Sequence, residues 1–346
     1  ADQGADVLVT DLKPEEALAD SIRLLQGFDI SYKLGCHEAS DFESADLIVA
    51  NPAIPFRSKY LQIACESDLP ITTEIGLFAA RFPGRTIAVT GTSGKTTTTT
   101  LLGEMVSNKI PDTIIGGNMG VSLLDSLKSS SPQTTAVLEL SSFQLRYLGM
   151  MAWRPDIAVV TNFAPNHLDI HVDLADYRMC KQQLIAHQTT DDVAVLNGDD
   201  PESGSWETAA SVKRFSLNRL AENGVFVSDG RIVFRQDEAE QTLGLTDELS
   251  IPGVHNQANA CAAACAAMAA GCGFQVISGA LATFVGVEHR LELCGNVRGV
   301  AFYNDSIATS PDRTIVALRA IDRPIVLIAG GSDKGLNYDA LGDAVR

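Results

Sequence analysis

The sequence predicts an α/β fold in which mostly parallel strands alternate with helices. Strand-forming residues 87–90 lead into a Gly-rich loop at residues 91–97, which continues as a helix through Met105. Elsewhere, short apolar runs recur, and several are followed by a polar or Gly-rich loop or a helical stretch. This alternation is typical of parallel sheets, which bind their ligands beyond the carboxyl ends of the strands.

Length and composition limit the classes of function. The chain has 346 residues, enough for two or three domains, and a net charge of −17 that argues against a general nucleic-acid groove. Its seven cysteines form no CxxC pair, and neither a signal peptide nor an apolar run of membrane length is visible. We therefore expect a cytoplasmic protein that binds no nucleic acid and no membrane.

Residues 1–84 are predicted to form a Rossmann-like domain. The expected strands lie at 7–10, 47–50 and 69–73, with helices at 14–26 and from Glu74. Asp11 ends the first strand, where an acid can meet a ribose or a base, although a turn or helix-capping aspartate fits equally well. The Gly-rich turn that should precede Asp11 is absent and Arg346 ends an apparent helix, so we expect a chain truncated at both ends.

The loop Gly91-Thr92-Ser93-Gly94-Lys95-Thr96-Thr97 is the central motif of a predicted middle domain, residues 85–287. Its glycines let backbone N–H groups turn toward phosphate oxygens. Lys95 can reach the β- and γ-phosphates, and Thr96 can offer its hydroxyl to Mg²⁺. The next helix points its positive end at the anion. Val89 stands where the general pattern has a glycine, but lysine after glycine at a helix start favours phosphate binding over a plain turn.

Polar side chains also lie in or after two further predicted strands, 136–140 and 157–161. Glu139 lies within the first, where a charge is costly unless it is paired or bound to a metal, so a metal ligand is favoured over a structural carboxylate. His167 follows the second strand. Alone it is more simply a loop or core histidine, but with Glu139 and Thr96 it can complete an oxygen and nitrogen shell around Mg²⁺. On spacing alone, Lys181 is a solvated lysine on a helix at 176–187.

The rest of the chain is predicted to finish the middle domain and begin a third one, residues 288–346. Asn256 and Asn259 precede an Ala-rich helix at 260–270, and helix capping is the simpler interpretation, above all for Asn256. The middle domain also has strands at 193–196, 225–227 and 232–234; the partial Rossmann-like third domain has strands at 300–306 and 325–329, a helix from Pro311 and a Gly-rich loop at 330–335.

Together these motifs resemble the Mur ligase family. The resemblance covers essentially the whole chain and is strongest with the branch that adds D-glutamate to UDP-N-acetylmuramoyl-L-alanine. It implies a three-domain fold and an ATP-dependent amide ligation, through an acyl phosphate, in cytoplasmic peptidoglycan precursor synthesis. We expect the protein to be a monomer. It rests on residues 91–97, Glu139 in Glu-Leu-Ser-Ser-Phe-Gln-Leu, Asn162 with His167, His255-Asn256 with Asn259, His289-Arg290, and Asn304-Asp305-Ser306.

The resemblance also implies roles for single residues. Lys95 and Thr96 would hold phosphates and Mg²⁺, Glu139 and His167 would ligate two Mg²⁺ ions, and Lys181 would carry a CO₂-derived carbamate that binds metal. The remaining ATP contacts would be Asn256, Asn259, Arg290 and Asp305. The UDP-substrate contacts would be Asp11, Asn118 and Ser141, and the D-glutamate contacts Thr309 and Lys334.

One position departs from the family, and two other readings remain open. Ile307 stands where many relatives carry lysine. The chain could instead be another ligase of the superfamily, either MurC-like or a folylpolyglutamate synthase. It could also be a fragment that binds nucleotide without catalysing ligation.

Overall fold

The computed structural model describes residues 1, 3–168, 170–220, 222–331 and 336–345. The chain divides into two compact units, Ala1–Glu74 and Ile75–Arg346. The three-domain division at 84 and 287 stays a prediction. Within the described residues, no helix combines the length and the apolar character needed to cross a bilayer.

The small unit contains two pairs of parallel strands. β1 pairs with β2, and β3 pairs with β4. The strands and the helix predicted here are confirmed, β1 with one residue more than predicted and β3, β4 and α1 with shorter bounds, whereas β2, α2 and α3 were not predicted. In chain order the elements are β1 (Val7–Asp11), α1 (Glu15–Leu24), β2 (Ile30–Leu34), α2 (Ala39–Glu43), β3 (Ile48–Val49), α3 (Lys59–Glu66) and β4 (Ile71–Thr72).

The large unit begins with a helix that spans the boundary between the units and continues as alternating strands and helices. Two short 3₁₀ helices, Leu124–Lys128 and Ser203–Ser205, interrupt the alternation. Its first elements are α4 (Glu74–Ala79), β5 (Arg85–Thr90), α5 (Lys95–Ser107), β6 (Thr113–Gly117), β7 (Thr135–Glu139), α6 (Ser142–Met150), β8 (Ile157–Val160), α7 (Leu174–Ala186) and β9 (Val193–Asn197). The later ones are β10 (Ser211–Ser216), β11 (Gly224–Ser228), β12 (Arg231–Gln236), β13 (Ala239–Leu245), α8 (Val254–Ala269), α9 (Phe274–Thr283), β14 (Glu292–Val297), β15 (Val300–Asn304), α10 (Pro311–Ala320) and α11 (Asp339–Val345).

Nine of these strands form one sheet, in the order β13-β12-β11-β10-β9-β8-β5-β7-β6. The strands from β6 to β11 pair in parallel, and β12 and β13 continue the sheet antiparallel. After β5 the chain turns first to one side of the sheet and then, with β8, to the other. The fold therefore has its topological switch point at β5, where open α/β sheets bind ligands.

The sheet is buried on both faces because helices cover each of them. In β5, Ile87 and Val89 belong to the hydrophobic cluster that includes side chains of α5, α8 and α9, whereas Ala88 belongs to the opposite cluster with those of α6 and α7. This burial explains why the strands read as continuous apolar runs. It also fixes the position of the loop that leaves β5.

Two expectations about the later elements are wrong. Residues 325–329 form no strand, and Val326 and Ile328 are exposed, because no other described strand pairs with this apolar run. Asn256 is not a helix cap, because α8 begins at Val254 after Gly253, which places Asn256 and Asn259 inside the helix and buries both.

Candidate active site

The carboxyl ends of β5, β7 and β8 open into a cavity of about 590 Å³ within the large unit. Strand register places these ends side by side, since Val89 is level with both Glu139 and Val159. Lys95, Glu139 and side chains from several other loops and helices line the same cavity. The strand order thus brings together groups that lie far apart in the sequence.

The phosphate loop is held by the loop that follows β8. Asn162 accepts a hydrogen bond from the Ser93 backbone N–H at 2.9 Å, and Thr161 donates its hydroxyl to the Ser93 carbonyl at 2.6 Å. Gly91 has φ +152°, and a Cβ there would lie 1.8 Å from the Thr161 hydroxyl oxygen. Gly94 has φ +79°, so both glycines are required by the loop's shape.

Two lysine side chains converge on the loop. Lys95 Nζ donates to the carbonyls of Gly91 and Thr92 at 3.0 and 3.2 Å, and Lys181 Nζ donates to the same Gly91 carbonyl at 2.7 Å. Burial lowers the pKa of Lys95 although Glu139 opposes the shift, and burial together with the charge of Lys95 holds the pKa of Lys181 well below 10.5. The expectation from spacing that Lys181 is solvated is wrong, because helix α7 packs this face against β5 and leaves it 2 % exposed.

Glu139 is buried at the end of β7 beside these lysines. Its Oε1 accepts a hydrogen bond from Asn118 Nδ2 at 2.9 Å, and no described group hydrogen-bonds to Oε2. A buried carboxylate oxygen without a partner is costly, so it is positioned to ligate a cation. Ser141 also lines the cavity and caps α6 through a capping box with Gln144.

The loop after β8 carries His167, which is exposed, has φ +55° and lines the cavity. Tyr177, a residue that sequence reasoning missed, lies beneath this loop and shares a 3.1 Å hydrogen bond with Thr92. Burial raises the pKa of Tyr177 to about 12. Tyr177 lies four residues before Lys181 on the same face of α7, so the sequence signal for it was the metal-binding role that the resemblance implies for Lys181, and not the spacing by itself.

A third set of predicted residues borders the start of α5. Asn259 receives a hydrogen bond from Thr98 at 3.4 Å, and its own amide donates to Asn256 at 3.0 Å. Arg290 donates to the Thr96 hydroxyl at 3.3 Å, and the carboxylate of Asp305 accepts the Leu291 backbone N–H at 2.9 Å. Burial lowers the pKa of Arg290 and raises the pKa of Asp305. These four residues, Asn256, Asn259, Arg290 and Asp305, were predicted as the ATP contacts outside the phosphate loop, and all of them line the cavity.

Some predicted residues lie elsewhere. Asp11 ends β1 in the small unit, where its carboxylate accepts the Lys13 backbone N–H at 2.8 Å. Thr309 is exposed and does not line the cavity, although its neighbour Ala308 does. Lys334 lies outside the described residues. Ile307 lines the cavity.

The mostly parallel sheet, the glycine-dependent loop and the two lysines that contact this loop define a phosphate-loop nucleotide-binding α/β protein. Residues 89–267 match the Mur ligase middle domain. A protein of Roseiflexus sp. (strain RS-1), named UDP-N-acetylmuramoylalanine--D-glutamate ligase, is 41% identical over 98% of this chain and 75% of its own length. A protein of the same name from Geotalea daltonii is 39% identical, covering 100% of this chain and 76% of its own. The chain belongs to the Mur ligase family.

Solved structures agree with this fold. The UDP-N-acetylmuramate-alanine ligase MurC of Thermotoga maritima superposes with a TM-score of 0.54 and 21% identity, covering 92% of this chain and 72% of that one. MurF of Acinetobacter baumannii gives a TM-score of 0.56 at 17% identity, covering 92% of this chain and 69% of that one. At these identities the likeness shows the shared architecture alone.

Proposed function

We propose that this chain joins D-glutamate to UDP-N-acetylmuramoyl-L-alanine at the expense of ATP. The observation that carries the proposal is one cavity that contains the phosphate loop, Lys95, Lys181, Glu139 and His167. Two relatives that are 41% and 39% identical to the chain over the aligned residues bear the name of this activity, which supports the choice of amino acid.

The chemistry explains why cations and N–H groups are gathered here. A carboxylate is a poor electrophile, and transfer of the terminal phosphoryl group of ATP to it creates an acyl phosphate with a good leaving group. The amine of D-glutamate then attacks the acyl carbon, and inorganic phosphate departs as the amide forms. Lys95 and the N–H groups of the loop stabilise the negative charge on the phosphoryl oxygens and orient the reactants.

The residues present fit a divalent cation of the Mg²⁺ type. The Oε2 atom of Glu139 lacks a partner among the described residues, and the Thr96 hydroxyl and the His167 ring border the same cavity. Oxygen-rich ligand sets suit Mg²⁺, which when bound neutralises charge on the phosphoryl oxygens. We extend the proposal to two Mg²⁺ sites, formed by Thr96, Glu139, His167 and a modified Lys181.

The modification is a carbamate on Lys181. Because burial lowers the pKa of Lys181, its ammonium group readily loses a proton. The neutral amine can then attack CO₂: an N–C bond forms, one C=O bond of CO₂ opens to a C–O⁻ group, and an N–H proton is released. The product is an anion that can ligate a cation, whereas an ammonium group cannot.

The remaining assignments follow the family. The ATP contacts would be Gly91, Thr92, Ser93, Gly94, Thr97, Asn256, Asn259, Arg290 and Asp305, and the contacts of the two other substrates Asp11, Asn118, Ser141, Thr309 and Lys334. All seven cysteines are free, which supports a reducing and therefore cytoplasmic location. We also propose that the protein is a monomer.

Phosphate release tests the proposed function. The chain is incubated with ATP, Mg²⁺, UDP-N-acetylmuramoyl-L-alanine and D-glutamate, and we expect release that depends on all of them. Lys95→Met should lower the rate at least about a hundredfold, because it removes a charge at the transferred group, whereas Lys128→Met, at a residue 77% exposed, should not change it. Release with UDP-N-acetylmuramate and L-alanine instead would support the MurC-like alternative and contradict the proposal. Intact-protein mass in bicarbonate buffer, compared between the unaltered chain and Lys181→Met, tests the added CO₂.

A further inference from the structure

Helix α10 places an arginine, Arg313, at the cavity, and none of the sequence motifs described above includes this residue. Arg313 lies in the first turn of this helix and lines the cavity together with Val316 and Ala317. Its Nη1 donates to the carbonyl of Ile307 at 3.3 Å. Within the described part of the chain this neutral acceptor is its one hydrogen-bond partner, so the other donors of the guanidinium are available to a ligand.

Arg313 belongs to a group of like charges. Burial and then the charge of Arg313 lower the pKa of Arg290. Arg313 also adds to the lowering of the Lys95 pKa, which burial dominates and Glu139 opposes. Three cationic side chains within electrostatic reach of one another repel, unless an anion lies between them. Their arrangement therefore indicates where the most highly charged part of a ligand binds.

The position of this group favours a phosphate over the carboxylate of an amino acid. Arg290 donates to Thr96 in the first turn of α5, and Lys95 lies on the phosphate loop itself. The cluster of positive charges to which Arg313 belongs is therefore located at the phosphate end of the cavity. The neighbouring Ile307 side chain supplies no charge.

We propose that Arg313 binds the terminal phosphate of the nucleotide and stays with that phosphoryl group as it is transferred. This role rests on the proposed ligase function for the transfer step, but nucleotide binding tests it separately. An arginine suits the task because its planar guanidinium contacts two phosphate oxygens at once and remains charged. The same Arg313 would supply the charge that Ile307 lacks.

Nucleotide affinities measure this contact. AMP-PNP, which has a non-hydrolysable terminal phosphate, and ADP are titrated with Mg²⁺ into the unaltered chain and into Arg313→Met by calorimetry. We expect AMP-PNP to bind roughly ten- to a hundredfold more weakly to the variant and ADP less than about threefold more weakly, as for loss of one charged hydrogen-bonding partner. Arg319→Met is the matched control, because Arg319 is exposed on the same helix and lies outside the cavity. An equal change for both nucleotides, or no change, overturns the proposal.

A double variant distinguishes phosphate binding by Arg313 from a purely structural role, in which its hydrogen bond to the Ile307 carbonyl holds the chain in place. In the double variant Ile307→Lys with Arg313→Met, a charge returns to the cavity while that hydrogen bond stays broken. We expect the preference for AMP-PNP to return in part, and its failure to return would contradict the proposal. Should Arg313→Met not fold, as judged by circular dichroism, Arg313→Lys replaces it and should weaken AMP-PNP selectively. None of these titrations needs the UDP-sugar or D-glutamate, so an absence of ligase activity would leave their outcome unaffected.

Discussion

Replacing Lys181 by methionine tests whether the cavity holds a buried amine. Lys181 is 2 % exposed, and its Nζ contacts the Gly91 carbonyl and lies 4.9 Å from the centre of the Tyr177 ring. Burial and then the charge of Lys95 lower its pKa well below 10.5. A methionine of similar length fills the same space without this cost, so Lys181→Met should raise the free energy of unfolding at neutral pH.

The sign and the size of the pH dependence of this stability difference follow from the lowered pKa of Lys181. Between the pKa of Lys181 in the folded chain and the ordinary value of 10.5, the unfolded chain carries a proton on this amine that the folded chain does not. The stability of the unaltered chain therefore rises with pH in that window, by up to about 1.4 kcal/mol per pH unit from this group. Since methionine does not titrate, the advantage of Lys181→Met should shrink by the same amount per unit as the pH is raised.

Urea unfolding in CO₂-free buffers between pH 7 and pH 10 measures the difference. The two tryptophans, Trp153 and Trp206, both lie in the large unit and report its unfolding. Lys128→Met is the matched control, and its free energy difference from the unaltered chain should stay constant with pH. A difference for Lys181→Met that is equally constant would refute the burial of a readily deprotonated amine.

Two further substitutions test the loop and its supports. Gly94→Ala places a Cβ 2.2 Å from Asn259 Oδ1 in a backbone with φ +79°. We expect the free energy of unfolding, measured with urea, to fall by about 1–3 kcal/mol. We also expect ATP to bind more weakly, as measured by calorimetry. Asp176→Asn removes the half-buried partner of Arg146, which donates to both oxygens at 2.8 and 2.6 Å. It should cost about 3 kcal/mol at pH 7. Because these bonds lower the pKa of Asp176 against the effect of burial, that cost should disappear as the pH falls below this pKa; a cost that persists there would contradict the ion pair.

Local sequence was sufficient for the elements whose pattern is strong. Residues 86–105 predicted β5, the phosphate loop and α5, since the glycines, the lysine and the apolar run each carry their own conformational preference. The strands now seen as β7 and β8 were predicted for the same reason. The run at 325–329 has equal strand propensity and forms no strand, because a strand also needs a partner that propensity cannot supply.

The candidate site likewise has features that the sequence determines and features that only the tertiary structure determines. The sequence by itself determined that a phosphate loop exists at residues 91–97 and that Glu139, in an apolar strand, needs a partner. Only the tertiary structure decided that Lys181 is buried against that loop and that Arg313 reaches the cavity from a helix more than two hundred residues away. The physical reason is that burial and charge proximity depend on the strand order of the sheet, which brings distant segments together and leaves no periodic signal in either of them.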